Sequence, residues 1–249
     1  MSMFDYEKYA QTSPTCFAEG GFPPQLLPAM DGASGTFLEV GAGDGIKLQA
    51  LMQTGALSNF TRIMATDISQ LRVARIAANV ASVEAFQSDA EALQLPSDSV
   101  GFYYSDQVIE HVPSDDRMAR EAFRVLAPGG RAFIGSVFKT KGAWYYYRAN
   151  GRWVIDPSHV REYTDSAAYR RIFEGAGFQV RSIELDPVVT NASELLVRGF
   201  SRLKLLDVDK HPDLYRTQPW SSLRKVRLRV PRYFYIFASL QKPLNGSPA

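Results

Sequence analysis

The feature that most constrains the fold is a short apolar run that ends in three closely spaced glycines. Residues 37–45 read FLEVGAGDG, in which Gly41, Gly43 and Gly45 alternate with other residues. Glycine adopts a positive φ without strain and leaves no Cβ between the chain and a ligand. A buried strand, this loop and a following helix together favour a ligand-binding turn, and a plain turn between strand and helix is the alternative.

Apolar runs and helical segments alternate through most of the chain, which predicts βαβ units and a mostly parallel sheet. The predicted strands cover 36–40, 62–66, 83–87, 100–105, 131–138, 178–185 and 232–241. The predicted helices cover 46–52, 69–80, 115–127 and 166–175, with Ser114 or Asp115 and then Asp165 as caps of the last two. Ligands bind at the carboxyl ends of such strands, so the loop after each strand is a candidate site.

Composition excludes several classes of protein. The chain has 249 residues, of which 45% are hydrophobic and 22% charged, so it can bury a large core. Its single cysteine, Cys16, excludes an intrachain disulfide. We see no targeting segment and no apolar run near the roughly 20 residues that a membrane helix needs. We therefore expect a cytoplasmic protein without a membrane span.

Acidic residues follow the early strands in a regular way. Asp67 ends the second strand, where a carboxylate can accept both hydroxyls of a ribose. Asp89 follows the third strand and could accept from an adenine amino group, while Ala90 offers a backbone N–H. The glycine spacing differs from G-x-G-x-x-G, and Asp44 lies inside the loop, which disfavours a pyrophosphate and hence a nicotinamide dehydrogenase.

Five segments in this order resemble the class I S-adenosylmethionine-dependent methyltransferases. They are FLEVGAGDG, ATDIS, QSDAEALQLPSDSV, SDQVIEHV and RVLAPGGRAFI, and they cover residues 36–138. The segment DPSHVREYTDSAAYRRIFEGAGFQV is similar to the small-molecule branch of that family. The resemblance implies a Rossmann-like, doubly wound α/β sheet of seven strands whose last strand is antiparallel.

The resemblance also implies residues that bind the cofactor S-adenosylmethionine. Those around its methionine part would be Glu39, Gly41, Ala42, Gly43 and Gly45. Those around the adenosine would be Asp67 on the ribose, Ile68 against the adenine, and Asp89 and Ala90 at the adenine edge. The floor beside the sulfonium would be Asp106, Gln107 and Val108.

Methylation of a hydroxyl requires a general base, and histidine is the usual choice near neutral pH. His111 follows the fourth strand and His159 lies in the HVREYT segment, so both are candidate catalytic residues. Glu110 could orient a histidine or bind an acceptor hydroxyl. A capping or positioning role is the alternative for His111, and His211 lies in a basic block that favours a surface position.

Asp156, His159 and Glu162 recur every three residues and could converge on a divalent ion. Spacing alone is weak evidence for such a site, and no Cys/His cluster indicates zinc. We therefore expect no metal cofactor.

Two segments are candidates for acceptor recognition. The flap, residues 139–164, has an aromatic stretch with Asn150-Gly151 as a hairpin turn; packing onto the core is the alternative role. Its candidate substrate-binding residues are Tyr145, Tyr147, Trp153, Glu162 and Tyr163. The insertion, residues 186–231, contains an amphipathic stretch over 193–206 and reads as a lid or an oligomer contact.

We expect one methyltransferase domain over 1–249, with a cap at 1–35 and a cofactor-binding half at 36–138. Residues 198–232 hold ten Lys or Arg against three Asp, which suits an anionic acceptor or a solvated surface. The predicted function is O-methylation of a small hydroxylated molecule, with carbohydrate first. Two alternatives stay open: an RNA methyltransferase that uses the basic block, and a non-catalytic protein that binds the cofactor and a partner.

Overall fold

The computed structural model describes residues 5–12, 21–145, 147–149, 151–203, 205–206 and 217–244. Cys16, Asn150 and His211 lie outside these ranges, as do residues 207–216 of the basic block.

A seven-stranded sheet confirms the predicted architecture. Its order is β3-β2-β1-β4-β5-β9-β8, and the last strand in the chain is antiparallel. Its strands are β1 (Gly35–Val40), β2 (Phe60–Asp67), β3 (Glu84–Gln87), β4 (Val100–Asp106), β5 (Leu126–Lys139), β8 (Gln179–Asn191) and β9 (Arg227–Gln241). A separate hairpin consists of β6 (Tyr147–Ala149) and β7 (Arg152–Val154). Because β1 lies between β2 and β4, the strand order reverses there, which is where open α/β sheets bind ligands.

Eight helices lie within the described residues. They are α1 (Tyr6–Thr12), α2 (Leu26–Met30), α3 (Ile46–Gln53), α4 (Gln70–Asn79), α5 (Asp115–Val125), α6 (Ser166–Gly175), α7 (Ala192–Arg202) and α8 (Trp220–Leu223). The side chains of Ser69, Ser114 and Asp165 accept hydrogen bonds from backbone amides in the first turns of α4, α5 and α6. These caps fix where the crossover helices begin.

Three boundaries differ from the prediction. Helix α5 ends at Val125, and β5 begins at Leu126 and runs through the Pro-Gly-Gly segment. The physical reason is pairing with a distant segment: Gly129 N donates to Lys242 O and Lys242 N donates to Gly130 O, at 3.0 and 2.9 Å. Strands β8 and β9 also extend into the segment that we expected to be an insertion.

The chain divides into two compact units. The first comprises residues 1–136, 165–184 and 236–249, and the second comprises 137–164 and 185–235. In the first unit, stacked rings fill the core between neighbouring strands, with the Phe37 and Phe102 centroids 5.9 Å apart. In the second, the core is Val137, Tyr145, Val188, Val230 and Tyr233. Among the described residues, no helix has the length and apolar character that crossing a membrane requires.

Candidate functional site

The glycine loop joins β1 to α3 in the first unit, as the sequence predicts. Gly41, Gly43 and Gly45 have φ values of 70°, 58° and 84°. A Cβ at Gly41 would lie 2.2 Å from the Cγ2 atom of Val108. The loop therefore requires glycine at position 41 for two reasons, its backbone conformation and the close approach of the loop that follows β4.

Asp67 braces this loop from the end of β2. Its Oδ2 atom accepts from Gly43 N at 2.9 Å and its Oδ1 atom accepts from Ser69 N at 2.9 Å. Burial raises the pKa of Asp67, and these two amide hydrogen bonds oppose that effect. The carboxylate thus holds the loop in shape at the position where we expect it to bind a ribose.

Asp44, inside the loop, is neutralised by a neighbouring helix. Its carboxylate lies 3.1 Å from Nη1 of Arg75 in α4, and the same guanidinium donates to Ala10 O in α1. From the sequence we expected Asp44 to face the ligand, and this ion pair was not predicted. Its signal in the sequence is an arginine in the second turn of α4.

Two buried acids and one lysine meet at the carboxyl ends of β1 and β4. Lys47 Nζ lies 2.6 Å from Asp106 Oδ2 and 3.4 Å from Asp106 O. Glu39 is 3% exposed, and burial raises its pKa to about 8 even though Lys47 opposes the shift. Burial lowers the pKa of Lys47, but the attraction of Asp106 outweighs it and the pKa is raised. We did not predict Lys47 from the sequence.

Three buried polar atoms at this edge have no hydrogen-bond partner among the residues described. They are Glu39 Oε2, Asp106 Oδ1 and Gln107 Nε2. Gln107 also has a φ of 65°, which is costly for a residue with a side chain, and its amide donates to Gly135 O. Buried polar atoms are normally satisfied, so this edge is built for a polar ligand.

The residues that we predicted to contact the adenine follow β2 and β3, in the same unit. Ala90 is buried, whereas Asp89 is exposed and its Oδ1 atom accepts from Glu91 N at 2.8 Å. Ile68 is 43% exposed, and its carbonyl accepts from Gln87 Nε2. Ala42 is buried and its amide donates to Thr66 O.

Helix α1 attaches to this edge through side chains that sequence reasoning did not single out. The Glu7 carboxylate accepts from Ser69 Oγ at 3.0 Å and from Gln70 N at 2.5 Å, so it caps α4 from outside. Tyr6 donates from its hydroxyl to the carbonyl of His111, and its ring lies edge-on to the histidine ring. The predicted N-terminal cap thus contacts the loops that follow β2 and β4.

Glu110 and His111 follow β4, in the first unit. Glu110 is fully buried and its Oε2 atom accepts from Ser136 Oγ at 2.9 Å. His111 is partly buried, and its amide donates to Val108 O.

His159 lies in a buried network of polar contacts in the second unit. Its Nδ1 atom is 2.9 Å from Glu162 Oε1, which also accepts from Ile155 N at 2.7 Å. Lys139 Nζ lies 2.9 Å from the other oxygen of Glu162 and donates to Trp153 O. Burial raises the pKa of Glu162, but the contacts with His159, Ile155 and Lys139 outweigh it and the pKa is lowered.

The contact with Glu162 decides which ring nitrogen of His159 carries the proton. Because Glu162 is an ionised acceptor, it favours the proton on Nδ1 of His159 and leaves Nε2 as the nitrogen that takes up a proton. Lys139 directly follows the buried part of β5 and was missed, since nothing in the sequence pairs it with a residue 23 positions later.

The aromatic flap residues occupy two different environments in the second unit. Tyr145 is buried in the core cluster, and its ring lies edge-on to that of Tyr233 at 5.9 Å. Tyr147 and Trp153 are partly buried on the β6–β7 hairpin, where Arg148 covers the Trp153 ring at 5.2 Å. Tyr163 is buried and pairs with Phe138 in an isolated parallel bridge.

Asp156 is engaged within its own loop. Its Oδ1 atom accepts from Ser158 N and Ser158 Oγ at 2.8 and 2.6 Å, and its carbonyl accepts from His159 N. With Glu162 Oε1 bonded to His159 and Ile155, these carboxylates stabilise the turn that carries the histidine.

The sheet order, the glycine loop and the acids at successive strand ends define a Rossmann-like methyltransferase fold. Residues 38–134 match the family model described as a methyltransferase domain. This match covers less than half of the chain, so it shows which family the segment is similar to.

Known proteins resemble the chain in sequence and in fold. The 2-methyl-6-phytyl-1,4-hydroquinone methyltransferase of Arabidopsis thaliana is 32% identical over 143 residues, which cover 57% of this chain and 39% of that protein. The YcgJ protein of Bacillus subtilis superposes with a TM-score of 0.61 and 18% identity, over 88% of this chain and 97% of that one. Phosphoethanolamine N-methyltransferase 2 of Haemonchus contortus, in complex with S-adenosyl-L-methionine, superposes with a TM-score of 0.58 and 14% identity. The superposition covers 96% of this chain and 60% of that one. The chain spans well under two thirds of the hydroquinone relative, and the two structural likenesses show the fold alone.

The residues present fit S-adenosylmethionine. The cofactor carries a sulfonium and an ammonium against one carboxylate, so its net charge is positive. The unpartnered oxygens of Glu39 and Asp106 can accept from such a cation, and the bare backbone at Gly41 allows close approach. Glu39, Asp106 and the glycine loop would hold the methionine part, and Asp67 would hold the ribose.

Proposed function

We propose that the protein methylates a hydroxyl group of a small molecule and that His159 is its general base. The observation that carries the proposal is the buried contact between His159 Nδ1 and Glu162 Oε1 at 2.9 Å. A carboxylate on one imidazole nitrogen orients the ring and makes the other nitrogen the base. Glu162 therefore acts as a positioning residue, and Lys139 keeps it ionised.

When bound, S-adenosylmethionine would supply a methyl group that its sulfonium already activates. His159 Nε2 would take the proton of the acceptor hydroxyl, which leaves the oxygen able to accept that methyl group. Alignment and proton removal are the two tasks left to the protein.

Two acceptor classes have support. The HVREYT segment and the aromatic flap favour a carbohydrate. The hydroquinone acceptor named for the Arabidopsis relative favours an aromatic hydroxyl instead. A phenolic hydroxyl is a stronger acid than an aliphatic alcohol, so a general base removes its proton more readily and the aromatic ring is a full second candidate.

The test is transfer of labelled methyl from S-adenosylmethionine to a panel of sugars, hydroquinones and RNA, with His159→Gln, His111→Gln and Glu162→Gln as variants. We expect His159→Gln to lower kcat roughly 100- to 10,000-fold, which is the usual contribution of a general base, without weakening cofactor binding. Glu162→Gln should lower kcat and move the acid limb of the pH profile. Glu174→Gln, an exposed acid of α6, is the matched control and should change neither.

Other results of this methyl-transfer assay would each support a different alternative. Full activity in His159→Gln together with a loss in His111→Gln would make His111 the base. Label that enters RNA would support the RNA alternative. Cofactor binding without transfer to any fraction would support the non-catalytic alternative.

A further inference from the structure

The second unit exposes a cluster of large apolar side chains around α7. We call this the α7 patch. Its members are Leu196, Phe200, Leu203, Leu205, Val226 and Leu228, which are between 38% and 71% exposed. Single exposed apolar residues are ordinary, but a contiguous group of this kind marks an interaction surface.

Hydrogen bonds and a ring contact connect the segments that carry the patch. Leu196 and Phe200 are four residues apart on α7 and share one helix face. Leu203 follows directly after the helix, and its amide donates to Gly199 O at 3.1 Å. Leu205 N donates to Phe200 O at 2.9 Å, and the Phe200 ring lies edge-on to Trp220 at 6.3 Å. Ala192 N donates to Val226 O at 2.8 Å, which ties the start of α7 to the other side of the patch.

Exposed positive charge borders the apolar surface. Lys225, Arg227 and Arg229 are exposed and alternate with Val226 and Leu228. None of these three cations forms an ion pair with a residue that the structure describes. The stretch from 217 to 232 contains no Asp or Glu, although the whole chain carries a net charge of only +2.

We propose that the α7 patch docks on an anionic lipid bilayer. Exposed leucines beside free lysine and arginine side chains match a membrane interface, where apolar groups enter the acyl boundary and cations meet anionic headgroups. A nucleic acid would neutralise the cations but leave the leucines in water. A second copy of the chain, related by a two-fold axis, would bring the same cations close to one another.

The inference does not depend on methyl transfer or on His159. A patch that holds the protein on a bilayer would also place it where a lipid-borne acceptor resides. The two claims can therefore fail separately.

The test is co-sedimentation of the full chain with vesicles of phosphatidylcholine containing 30% phosphatidylglycerol, and with pure phosphatidylcholine. We expect binding to the anionic vesicles that weakens with salt. Lys225→Gln, Arg227→Gln and Arg229→Gln together should weaken it on the order of 100-fold, at roughly fivefold per cation. Leu203→Ser with Leu205→Ser should weaken it at least tenfold, while the control pair Leu27→Ser and Leu244→Ser, also exposed, should not.

Thermal melts of each variant show that the fold is retained. Equal binding to neutral and anionic vesicles, or binding unchanged in the leucine pair, would overturn the proposal. Sedimentation velocity gives the other two outcomes. A dimer abolished by the leucine pair would make the patch a self-contact, and RNA binding indifferent to the leucines would assign the cations to RNA.

Discussion

At the carboxyl ends of β1 and β4, two acids meet a single lysine. Lys47 neutralises Asp106 at 2.6 Å, whereas Glu39 is buried with an unpartnered oxygen. Burying an acid without a full set of partners costs stability, because the unfolded chain can ionise it in water. A site that tolerates this cost is arranged for a cationic ligand.

Glu39→Gln should remove a pH-dependent loss of stability. The pKa of Glu39 is raised by burial from 4.5 to about 8, so between these values the folded protein retains a proton that the unfolded chain has released. Stability therefore falls as pH rises through this window, by at most about 1.4 kcal/mol per pH unit for one proton. Chemical denaturation at pH 5.5 and pH 8 should show that the variant gains stability relative to the wild type at the higher pH.

The control for this experiment is Glu174→Gln, which changes an exposed acid. It should follow the wild type at both values of pH. If Glu39→Gln also follows the wild type, then Glu39 is ionised in the folded state and its burial does not lower stability between these two values of pH.

Single residues were predictable where chain position alone fixes their place. Glu39, Asp67 and Asp89 lie at or just beyond the ends of successive strands, and parallel strands bring their carboxyl ends to one edge. Lys47 and Lys139 were not predictable, because each acts through a partner that is distant in sequence. An ion pair between positions 47 and 106 leaves no periodic signal.

At the scale of elements, the glycine loop is the part whose shape depends most on one residue. Gly41→Ala introduces a Cβ at a φ of 70° and 2.2 Å from Val108. We expect a loss of roughly 1–3 kcal/mol in unfolding free energy and a tenfold or greater loss in cofactor affinity. Calorimetric titration and denaturation of the same variant measure both quantities.

Gly175→Ala is the matched control, since a Cβ there meets nothing within 4 Å and its backbone is not left-handed. It should leave affinity and stability close to those of the wild type. A Gly41→Ala protein that binds as well as the control would show that the loop adapts and that the backbone does not approach the ligand.

Element positions followed from local signals wherever those signals were sufficient. Caps at Ser69, Ser114 and Asp165 fixed three helix starts. The start of β5 was predicted at residue 131 and lies at Leu126, because the partner of the Pro-Gly-Gly segment, Lys242, is more than 100 residues away. The full lengths of β8 and β9 were not predicted for the same reason, since they depend on neighbouring strands that are distant in sequence.

At the scale of the whole molecule, the chain comprises two compact units with different characters. The first unit contains the glycine loop and the acidic strand ends. The second contains the polar network around His159 and the α7 patch. Sequence order predicted the sheet because alternating elements leave few topologies. The sequence marked residues 193–206 as amphipathic, but it could not show that the apolar side chains there stay exposed, because exposure depends on which faces of the fold remain uncovered.

The most direct measurement is a calorimetric titration of the wild-type chain with S-adenosylmethionine and, separately, with NADH. Binding of S-adenosylmethionine with a Kd on the order of micromolar is predicted, with no heat from NADH and a tenfold or weaker affinity in Gly41→Ala. No binding of S-adenosylmethionine by a folded wild-type protein, or a preference for NADH, would contradict the assignment of the glycine loop and the acidic edge to this cofactor.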